Sequence, residues 1–479
     1  MSTLTIGWIA LPLFLGFSSY LLPRCDRILA FTVALVSLTY GLTHLIDPTP
    51  LTLNLLDSFG VTLIVDELSG FFIVTNALVT AAVVLYCWPS NKSAFFFTQT
   101  IILHGCVNAV FICADLMSIY VALEVIGLAA FLLITYPRND RTLWVGFRYL
   151  FVSNTAMLFY LLGAVLVYQA NQSFALAGLA NAPRDAVALI FIGLLTKGGI
   201  FISGLWLPLT HSESETPVSA LLSGAVVKTG VFPLARCALM VEEVAPIIQI
   251  FSVGTALLGV TYAILEKDTK RTLAASTISQ LGFVLVAPAA AGFYALTHGL
   301  AKAALFLTAG NLPSRKFAEL RRAPLFLPLW IALAIAGLSI SGFPLLAGFG
   351  AKTLTLKSLD SWQAIVMNIA AVGTAIAFAK FLFLPRQFKS DGNEKMPVGL
   401  SPALTVLLGG LIVANGLNLT VYTLPNLLKA FLTIGIGWLA YGVVVRHIDL
   451  NLPKRVERFE HLIGGMSLML MLLFVLVAA

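Results

Sequence analysis

LLTKGGIFISGLWLP, residues 194–208, is an apolar stretch with a single charge, at Lys197. Gly198 and Gly199 follow the lysine directly, and the stretch ends at Pro208. Glycine and proline both interrupt helices, and a lysine facing lipid at the centre of a membrane helix costs about 2.5–3.5 kcal/mol. The stretch therefore predicts a membrane helix that is broken beside Lys197 and turns this lysine toward the interior of a helix bundle.

The composition of the whole chain agrees with a membrane location. Of its 479 residues, 59% are hydrophobic and 11% are charged, whereas soluble proteins have about 25% charged residues. The net charge of +7 does not indicate a nucleic-acid partner, because in a membrane protein the distribution of charge among the loops is informative. The sequence has no stretch that is polar and long enough for a soluble cofactor domain, and its five cysteines show no metal-ligand spacing. We therefore predict no cofactor and no metal site. We also predict that the cysteines other than Cys25 are buried and structural.

Apolar runs divide the chain into membrane spans. We expect the first run to be a retained span rather than a signal peptide, because it lacks a basic leader and a small-residue cleavage site. The fold class is an all-α polytopic membrane protein with about 14–16 transmembrane helices. The sixteen predicted spans lie near 4–22, 28–46, 68–88, 94–114, 116–136, 143–168, 186–207, 217–240, 244–265, 273–291, 293–312, 324–358, 361–384, 400–420, 426–445 and 461–479.

Loop charges predict the orientation of these spans. Basic loops face the cytoplasm in membrane proteins, and this rule places both termini on the non-cytoplasmic side. The loops assigned to the cytoplasm carry Arg24, Arg27, Lys92, Arg138, Arg141, Lys267, Lys270, Arg271, Arg315, Lys316, Arg321, Arg322, Arg386, Lys389, Lys395, Arg446, Lys454, Arg455 and Arg458. The opposite loops have only three basic residues, Arg184, Lys357 and Lys429. Their acidic residues are Asp47, Asp57, Asp66, Glu67, Asp115, Asp185, Glu242, Glu243 and Asp360.

Few charges lie inside the predicted spans. Glu124 is the only carboxylate well inside a span, and the lysines within spans are Lys197, Lys228, Lys302, Lys352 and Lys380. Their cost in lipid predicts that they face the bundle interior, where ionisable groups mark ion paths. Reaching the membrane surface from a helix end is an alternative for Lys352 and Lys380, but a poor one for Lys197 and Lys228, which lie further from the start of a span.

The spacing of these lysines predicts an internal repeat. Lys197 lies in the seventh span and Lys352 in the twelfth, and the same offset of five spans separates Lys228 from Lys380. The twelfth span is too long for one straight helix, and its middle, LSISGFPLLAGFGAK, supplies a break. Because an odd offset reverses orientation, we predict two inverted five-helix repeats, each a proton half-channel with one broken helix. The predicted domains are 1–92 (N-terminal helices), 93–240 (first repeat), 244–390 (second repeat) and 400–479 (C-terminal helices).

The titratable groups in the spans suit proton transfer. Burial favours the neutral amine of Lys197 and a nearby Glu124 favours the ammonium, so this lysine can take up and release a proton. Unwound backbone after Lys197 would supply carbonyls and water. His298 and Lys302 share a helix face and can pass protons on, with a structural histidine as the alternative. His211 lies at the inner mouth, where it either exchanges protons with the cytoplasm or is a solvated loop residue.

Four blocks of sequence resemble one family. They are WLPLTHSESETPVSALLSGAVVKTG (206–230), KDTKRTLAASTISQLGF (267–283), FYALTHGLAKAALFLTAG (293–310) and SGFPLLAGFGAK (341–352). They look like the motifs of the proton-conducting antiporter-type subunits found in complex I and its photosynthetic relatives, in membrane-bound hydrogenases and in Mrp-type sodium/proton antiporters. The likeness covers roughly residues 60–390.

The resemblance implies roles for individual residues. Glu124 matches the family's span glutamate, Lys197 the lysine that pairs with it, and Lys228 the central lysine. His298 and Lys302 match the HxxxK helix, and Lys352 the lysine or glutamate of the second broken helix. This chain departs from the family in having Tyr294 where some members have a second histidine, and WLPLTH in place of WLPDAH.

Two functions share these residues, because the driving force resides in the partners. The first is a proton-translocating subunit of a multisubunit antiporter for sodium or another monovalent cation. The alternative is a proton-pumping subunit of a complex I-like NAD(P)H-quinone oxidoreductase. The absence of a long lateral amphipathic helix favours the antiporter. In either case we predict that the partners are other membrane subunits, protons and the lipid bilayer. The predicted location is the inner (plasma) membrane or another energy-transducing membrane.

Overall fold

The computed structural model describes residues 2–55, 60–387, 396–447 and 457–478. Some features named from the sequence lie outside these ranges: the charged residues Asp57, Lys389, Lys395, Lys454 and Arg455, the end of the second predicted repeat at 388–390, and residue 479 of the last predicted span.

Helices make up almost all of the described structure. The N-terminal half contains α1 Ser2–Leu21, α2 Asp26–Ile46, α3 Glu67–Cys87, α4 Ala94–Val110, α5 Leu116–Ile134, α6 Asp140–Asn171, α7 Arg184–Gly198, α8 Leu207–Glu213, α9 Thr216–Leu221 and α10 Lys228–Met240. The remainder contains α11 Ala245–Leu265, α12 Thr269–Val286, α13 Ala291–Ala309, α14 Phe317–Leu320, α15 Leu327–Ser341, α16 Ala347–Lys357, α17 Ser361–Leu382, α18 Leu400–Gly416, α19 Leu424–Val443 and α20 Phe459–Ala478.

Short segments of other structure connect these helices. Strands β1 Leu51–Asn54 and β2 Thr62–Val65 form an antiparallel ladder, and β3 Leu325–Phe326 pairs in parallel with β4 Arg386–Gln387. Short 3₁₀-helices span Leu176–Asn181, Phe201–Trp206, Glu242–Val244, Pro288–Ala290, Leu419–Val421 and Val445–His447, and a π-helical turn spans Leu222–Val226. These segments leave the helical bundle as the only extensive architecture in the described ranges.

The chain is an all-α polytopic membrane protein, as the sequence predicts. Within the described residues, twelve helical segments are long and apolar enough to cross a membrane, and Ala94–Val110, Leu327–Ser341 and Leu400–Gly416 are shorter apolar helices. Each of the sixteen predicted spans coincides with one of these helices or, for 273–291, with α12. The buried cysteines were also predicted correctly, because Cys25 is exposed and Cys87, Cys106, Cys113 and Cys237 are buried.

Acidic and amide side chains set the starts of several helices. Asp66 and Asp115 accept hydrogen bonds from the backbone N–H groups of Ser69 (2.9 Å) and Ser118 (2.7 Å), at the first turns of α3 and α5. Asn139 caps α6 in the same way. Asp268 caps α12, so this helix begins at Thr269, four residues before the predicted span. Such caps satisfy backbone donors that have no partner within the helix.

The two predicted broken helices end their first halves in the same manner. Gly199 and Gly342 adopt the left-handed conformation, with φ of 68° and 83°. After each glycine, a backbone N–H reaches back five residues, from Ile200 to the Leu195 carbonyl and from Phe343 to the Leu338 carbonyl. This is a Schellman motif, which requires φ > 0 at its C′ position and therefore favours glycine there. Helices α7 and α15 therefore end with the same backbone geometry, and the inverted repeat stays a prediction.

A second left-handed residue follows each break. Phe201 has φ of 53° and Leu345 has φ of 74°, a conformation that strains residues with a side chain. In each case a hydroxyl from a neighbouring segment accepts the backbone N–H, Thr255 Oγ1 at 2.9 Å and Tyr422 Oη at 3.1 Å. Contacts outside the broken helices therefore hold both unwound segments in place.

The centre of the bundle is formed by helices whose side chains are buried on every face. All nineteen residues of α13 are buried, and α12 is buried along nearly its whole length although its sequence is rich in Ser and Thr. In contrast, only 17% of the most apolar stretch of the span that contains α19 is buried, and 28% of the corresponding stretches of α1 and α20. Polar residues on α12 and α13 therefore face protein and not lipid.

Candidate functional site

Lys197 lies in the last turn of α7, two residues before the break at Gly199, and is 6% exposed. Its ammonium donates to the backbone carbonyl of Leu123 on α5 at 3.0 Å. We expected the unwound backbone to supply this acceptor, and that expectation is wrong. The carbonyls around the break have other donors, because Trp206 Nε1 bonds to the Thr196 carbonyl at 2.9 Å.

Glu124 is adjacent to the acceptor of Lys197. Its charge acts on the lysine, but within the described ranges the two side chains form no direct ion pair. Glu124 Oε1, Ser153 Oγ and Thr196 Oγ1 are buried, and in the same ranges they have no hydrogen-bond partner. Ser153, Thr196 and Lys197 line one small cavity, so its wall offers free hydrogen-bonding groups beside the ammonium.

Lys228 lies at the start of α10, directly after the π-helical turn. In this turn the N–H of Val227 bonds to the Leu222 carbonyl, five residues back, which frees the carbonyls that follow. The Lys228 ammonium donates to two of them, Gly224 O at 2.6 Å and Ser223 O at 3.2 Å. Lys228 is 0% exposed, so local backbone geometry stabilises a fully buried lysine.

Helix α13 passes directly against Lys228. A Cβ atom on Gly299 would lie 3.4 Å from Lys228 Cε and 2.9 Å from the Gly224 carbonyl oxygen. Glycine is therefore required at this crossing. The neighbouring His298 is 1% exposed, and neither of its ring nitrogens has a partner among the described residues. The alternative of a histidine bonded to a structural carbonyl is not supported by this geometry.

Lys302 lies one turn after His298 on α13, as the HxxxK spacing predicts, and is 0% exposed. Its ammonium donates to the Leu273 carbonyl at 2.9 Å and to Ser276 Oγ at 2.6 Å, both on α12. It also lies 5.3 Å from the centre of the Phe378 ring on α17. The charges of Lys228 and Lys302 both act on His298, so the structure brings these three residues together.

Lys352 lies on α16, ten residues after the break at Gly342, and is 6% exposed. Its ammonium is 3.4 Å from the Ser341 carbonyl oxygen at the end of α15. Here the broken helix does supply the acceptor. Lys352 therefore lies on the second half of its broken helix, whereas Lys197 lies on the first half of the other, so the two lysines are not at equivalent positions relative to the breaks.

Two polar residues that the sequence interpretation did not assign connect α13 to the second broken helix. Tyr294 Oη donates to Gln280 Oε1 at 2.7 Å, and both residues line a small cavity with His298, Ser339 and Gly348. The cavity thus reaches from α13 to both halves of the broken helix. A polar glutamine at the centre of a buried helix was the available signal for Gln280.

His211 and Lys270 lie on the side of the basic loops. His211 is 0% exposed in α8, so its interpretation as a solvated loop residue is wrong. Lys270 was assigned to a basic loop, but it is 7% exposed in the first turn of α12 and donates to the Ser214 carbonyl at 3.2 Å. The charges of Lys270 and Lys302 both act on His211. This histidine therefore lies between the central lysines and the loop region.

Lys380 has a different environment from the other buried lysines. Its ammonium donates to the carbonyls of Ala263 (2.6 Å) and Glu266 (2.7 Å) at the end of α11, and it lies 5.0 Å from the Phe317 ring centre. Carbonyls at a helix C-terminus are favourable partners for a cation. Lys380 therefore caps the end of α11 and is only 5% exposed, which differs from the alternative in which its side chain reaches the membrane surface.

Ion pairs near the ends of the spans connect helices of the bundle. Arg236 on α10 bonds to Asp66, the N-cap of α3. Burial alone would raise the pKa of Asp66, but the hydrogen bonds and charge of Arg236 outweigh burial and hold the pKa below its ordinary value. Arg271 does the same for Glu266, whose pKa is also lowered against the effect of burial. These carboxylates are therefore structural partners of arginines.

Comparison with known proteins identifies related sequences. Residues 113–377 match the family described as NADH:quinone oxidoreductase/Mrp antiporter, TM. NADH-quinone oxidoreductase subunit N of Desulforudis audaxviator is 29% identical over 363 residues, which cover 68% of this chain and 72% of that protein. An Na(+)/H(+) antiporter subunit of Alkalihalophilus pseudofirmus is 26% identical over 398 residues, which cover 73% of this chain and 80% of that protein.

The fold is also found in a solved structure. The Mrp complex from Dietzia sp. DQ12-45-1b contains a chain that superimposes with a TM-score of 0.79 at 22% sequence identity. The superposition covers 97% of this chain and 58% of the longer chain in that complex. The arrangement of helices is therefore shared with a known structure along nearly the whole length of the protein.

Proposed function

Because the chain belongs to the NADH:quinone oxidoreductase/Mrp antiporter transmembrane family, we propose that it is the proton-translocating subunit of a multisubunit sodium/proton antiporter. Its partners are other membrane subunits of that complex. The similarity to the Na(+)/H(+) antiporter subunit of Alkalihalophilus pseudofirmus supports this assignment. The protein contributes a path for protons, and the coupled cation is sodium or another monovalent cation.

The observation that carries the proposal is the row of buried titratable residues between the two broken helices. Lys197 and Lys228 lie on helices that touch where Gly198 meets Gly230. The row continues through α13 and the Gln280–Tyr294 hydrogen bond to the second broken helix. We call this row the central axis; it consists of Lys197, Lys228, His298, Lys302 and Lys352. Burying so many cations is costly, which a purely structural role does not explain.

Protons reach the central axis from opposite sides in this proposal. Lys352 lines a cavity that also contains Lys357 and Lys429, two residues of the loops assigned to the outer side by charge. At the other end of the axis, Lys197 with Glu124 is served from the side assigned to the cytoplasm. Lys228 lies between these two access routes, so protons that enter at Lys197 pass it on the way to Lys352.

The alternative is a proton-pumping subunit of a complex I-like quinone oxidoreductase. The similarity to an NADH-quinone oxidoreductase subunit N is the observation that favours it. Both functions use the same central axis, and the difference lies in the partner subunits. Purification of the native complex with identification of its subunits separates the two: further antiporter subunits support the first function, and electron-transfer subunits support the second.

The central axis is tested by replacing Lys228 with leucine. Lys228→Leu removes a titratable group and leaves an apolar side chain in its place. It should reduce net proton transfer through the reconstituted complex by about 100-fold or more, because general acid–base groups contribute on this scale. Proton exchange with each side separately should persist. The measurement is proton uptake in oriented vesicles, made from each side and across the membrane.

Lys316→Leu is the matched control, because Lys316 is an exposed lysine whose side chain is 72% accessible. It should transport protons like the unmodified protein. Undiminished net transfer in Lys228→Leu would rule out the central axis as the proton path.

A further inference from the structure

A cavity on the side of the basic loops is separate from the central axis. We call it the Arg148 cavity. It lies between α6, the start of α12 and the start of α20, and its wall includes Arg141, Trp144, Arg148, Arg271 and Arg458. None of these residues belongs to the proposed proton path.

Most charges in the wall of the Arg148 cavity already have partners. Arg271 bonds to Glu266 at 2.9 Å and also to Glu457. Arg141 bonds to Glu213 at 3.2 Å, and Arg315 to Asp268 at 2.9 Å. Four of the lining carboxylates are therefore neutralised by arginines, and the fifth, Glu460, is exposed at the rim.

Arg148 forms no ion pair of this kind within the described ranges. It is only 6% exposed, yet its Nε and Nη2 atoms have no hydrogen-bond partner in the described ranges. Glu457 acts on it electrostatically, but that carboxylate is bonded to Arg271. Buried guanidinium donors that lack an acceptor are unfavourable, and the planar array of donors on an arginine fits a phosphate.

Aromatic residues place this guanidinium at the depth of lipid headgroups. Trp144 is 50% exposed, and the guanidinium carbons of Arg141 and Arg148 lie 5.5 and 5.7 Å from its ring centre. Phe459 at the start of α20 is 39% exposed and contacts the exposed Phe151 of α6. Exposed Trp beside Arg at the end of a membrane helix is typical of the membrane interface.

We propose that the Arg148 cavity binds the phosphate group of an anionic phospholipid. Arg148 holds the phosphate, Arg458 at the rim adds a second positive charge, and the acyl chains lie along the exposed aromatic face of α6. Basic pockets between membrane helices on the cytoplasmic side bind anionic headgroups in this way. Free phosphate has the same chemistry toward arginine, and the experiment distinguishes the two sources.

The test compares the full-length protein with Arg148→Gln. Both are reconstituted in nanodiscs of phosphatidylcholine with phosphatidylglycerol as a minor component, and the retained lipid is counted by native mass spectrometry. The unmodified protein should retain a phosphatidylglycerol molecule about tenfold more tightly than Arg148→Gln, since hydrogen bonds to charged groups contribute on this scale. Arg322→Gln removes an exposed arginine outside the cavity and should retain lipid like the unmodified protein.

A second binding measurement uses labelled inorganic phosphate in phosphatidylcholine alone. Phosphate binding that is lost in Arg148→Gln, with unchanged lipid retention, supports the phosphate site and assigns it to the free ion. Equal lipid retention and equal phosphate binding in both proteins overturn the proposal. If Arg148→Gln does not fold, Arg458→Gln provides the same comparison at an exposed position, with a partial loss of binding expected.

Discussion

Each lysine of the central axis has a different acceptor for its ammonium group. Lys228 uses carbonyls freed by a π-helical turn, and Lys302 uses a carbonyl and a hydroxyl of α12. Lys197 and Lys352 each have a single carbonyl acceptor among the described residues. An ammonium has three donors, so the lysines at the two ends of the axis are the least saturated, as suits groups that exchange protons with access routes.

Lys197→Ala tests the first end of the axis. The substitution removes the titratable group of α7 that lines the cavity with Ser153 and Thr196. Cation-driven proton movement should fall by about 100-fold or more, while the protein still inserts. Transport in membrane vesicles, normalised to the amount of inserted protein, measures the effect, and a wild-type rate would place Lys197 off the path.

Glu124→Gln tests whether the carboxylate supports Lys197. It removes the charge that acts on the lysine and preserves the shape of the side chain, so the pH dependence of transport should change. Glu124→Asp keeps the charge and should retain partial activity. An identical pH profile for Glu124→Gln and the unmodified protein would show that the two residues act independently.

At the scale of elements, the two broken helices depend on glycines with positive φ. A Cβ at Gly342 would lie 2.9 Å from Lys352 Cδ, and a Cβ at Gly199 would lie 2.4 Å from Leu207 Cδ1. The break and the position of its lysine are thus coupled at the second broken helix.

Gly342→Ala should lower both stability and transport. Alanine at a positive φ destabilises by about 1 kcal/mol or more, and the added methyl group displaces Lys352. The control is Gly409→Ala on α18, where a Cβ would meet no atom within 4 Å and alanine favours the helix. Thermal unfolding and proton transport are measured on both variants; equal behaviour of the two would contradict the role of the break.

The pair Asp66–Arg236 connects two further elements, α3 and α10. Its carboxylate has a lowered pKa, so the pair stabilises the fold above the ordinary aspartate pKa of 3.8, and this contribution is lost as pH falls through the lowered pKa. Asp66→Asn should cost about 2 kcal/mol at neutral pH and show a smaller further loss on acidification below about pH 4. Thermal unfolding as a function of pH measures this, with the exposed Glu243→Gln expected to follow the unmodified protein.

At the scale of the whole molecule, charge and burial together predict how the protein lies in the membrane. The loop containing Arg24 and Arg27 is assigned to the cytoplasm by the distribution of basic residues. This loop also contains Cys25, which is exposed, while the other four cysteines are buried. The chain therefore carries a natural reporter of its own orientation.

A membrane-impermeant maleimide should label Cys25 in inside-out vesicles and not in right-side-out vesicles. The buried cysteines should remain unlabelled in both, because the reagent does not reach them. Cys25→Ser should abolish labelling and serves as the control. Labelling from the outer side would reverse the predicted orientation and, with it, the assignment of the two access routes.

The sequence by itself determined the fold class, the positions of the sixteen predicted spans, the two breaks and the burial of the five lysines. These features follow from local composition and from the cost of charge in lipid, which act wherever a residue lies along the chain. The HxxxK spacing on α13 was likewise sufficient to place His298 and Lys302 on one face.

The tertiary structure alone decided which groups meet. The acceptor of Lys197 comes from α5 and that of Lys302 from α12, and no spacing within one helix specifies a partner on another. Burial of His211 and Lys270 was also beyond the sequence, because a polar loop motif does not show that neighbouring helices pack over it. Gln280 and Tyr294 become a link only when α12 and α13 are packed together. A hydrogen bond between two helices depends on their relative rotation and depth, and these are set by the packing of the whole bundle.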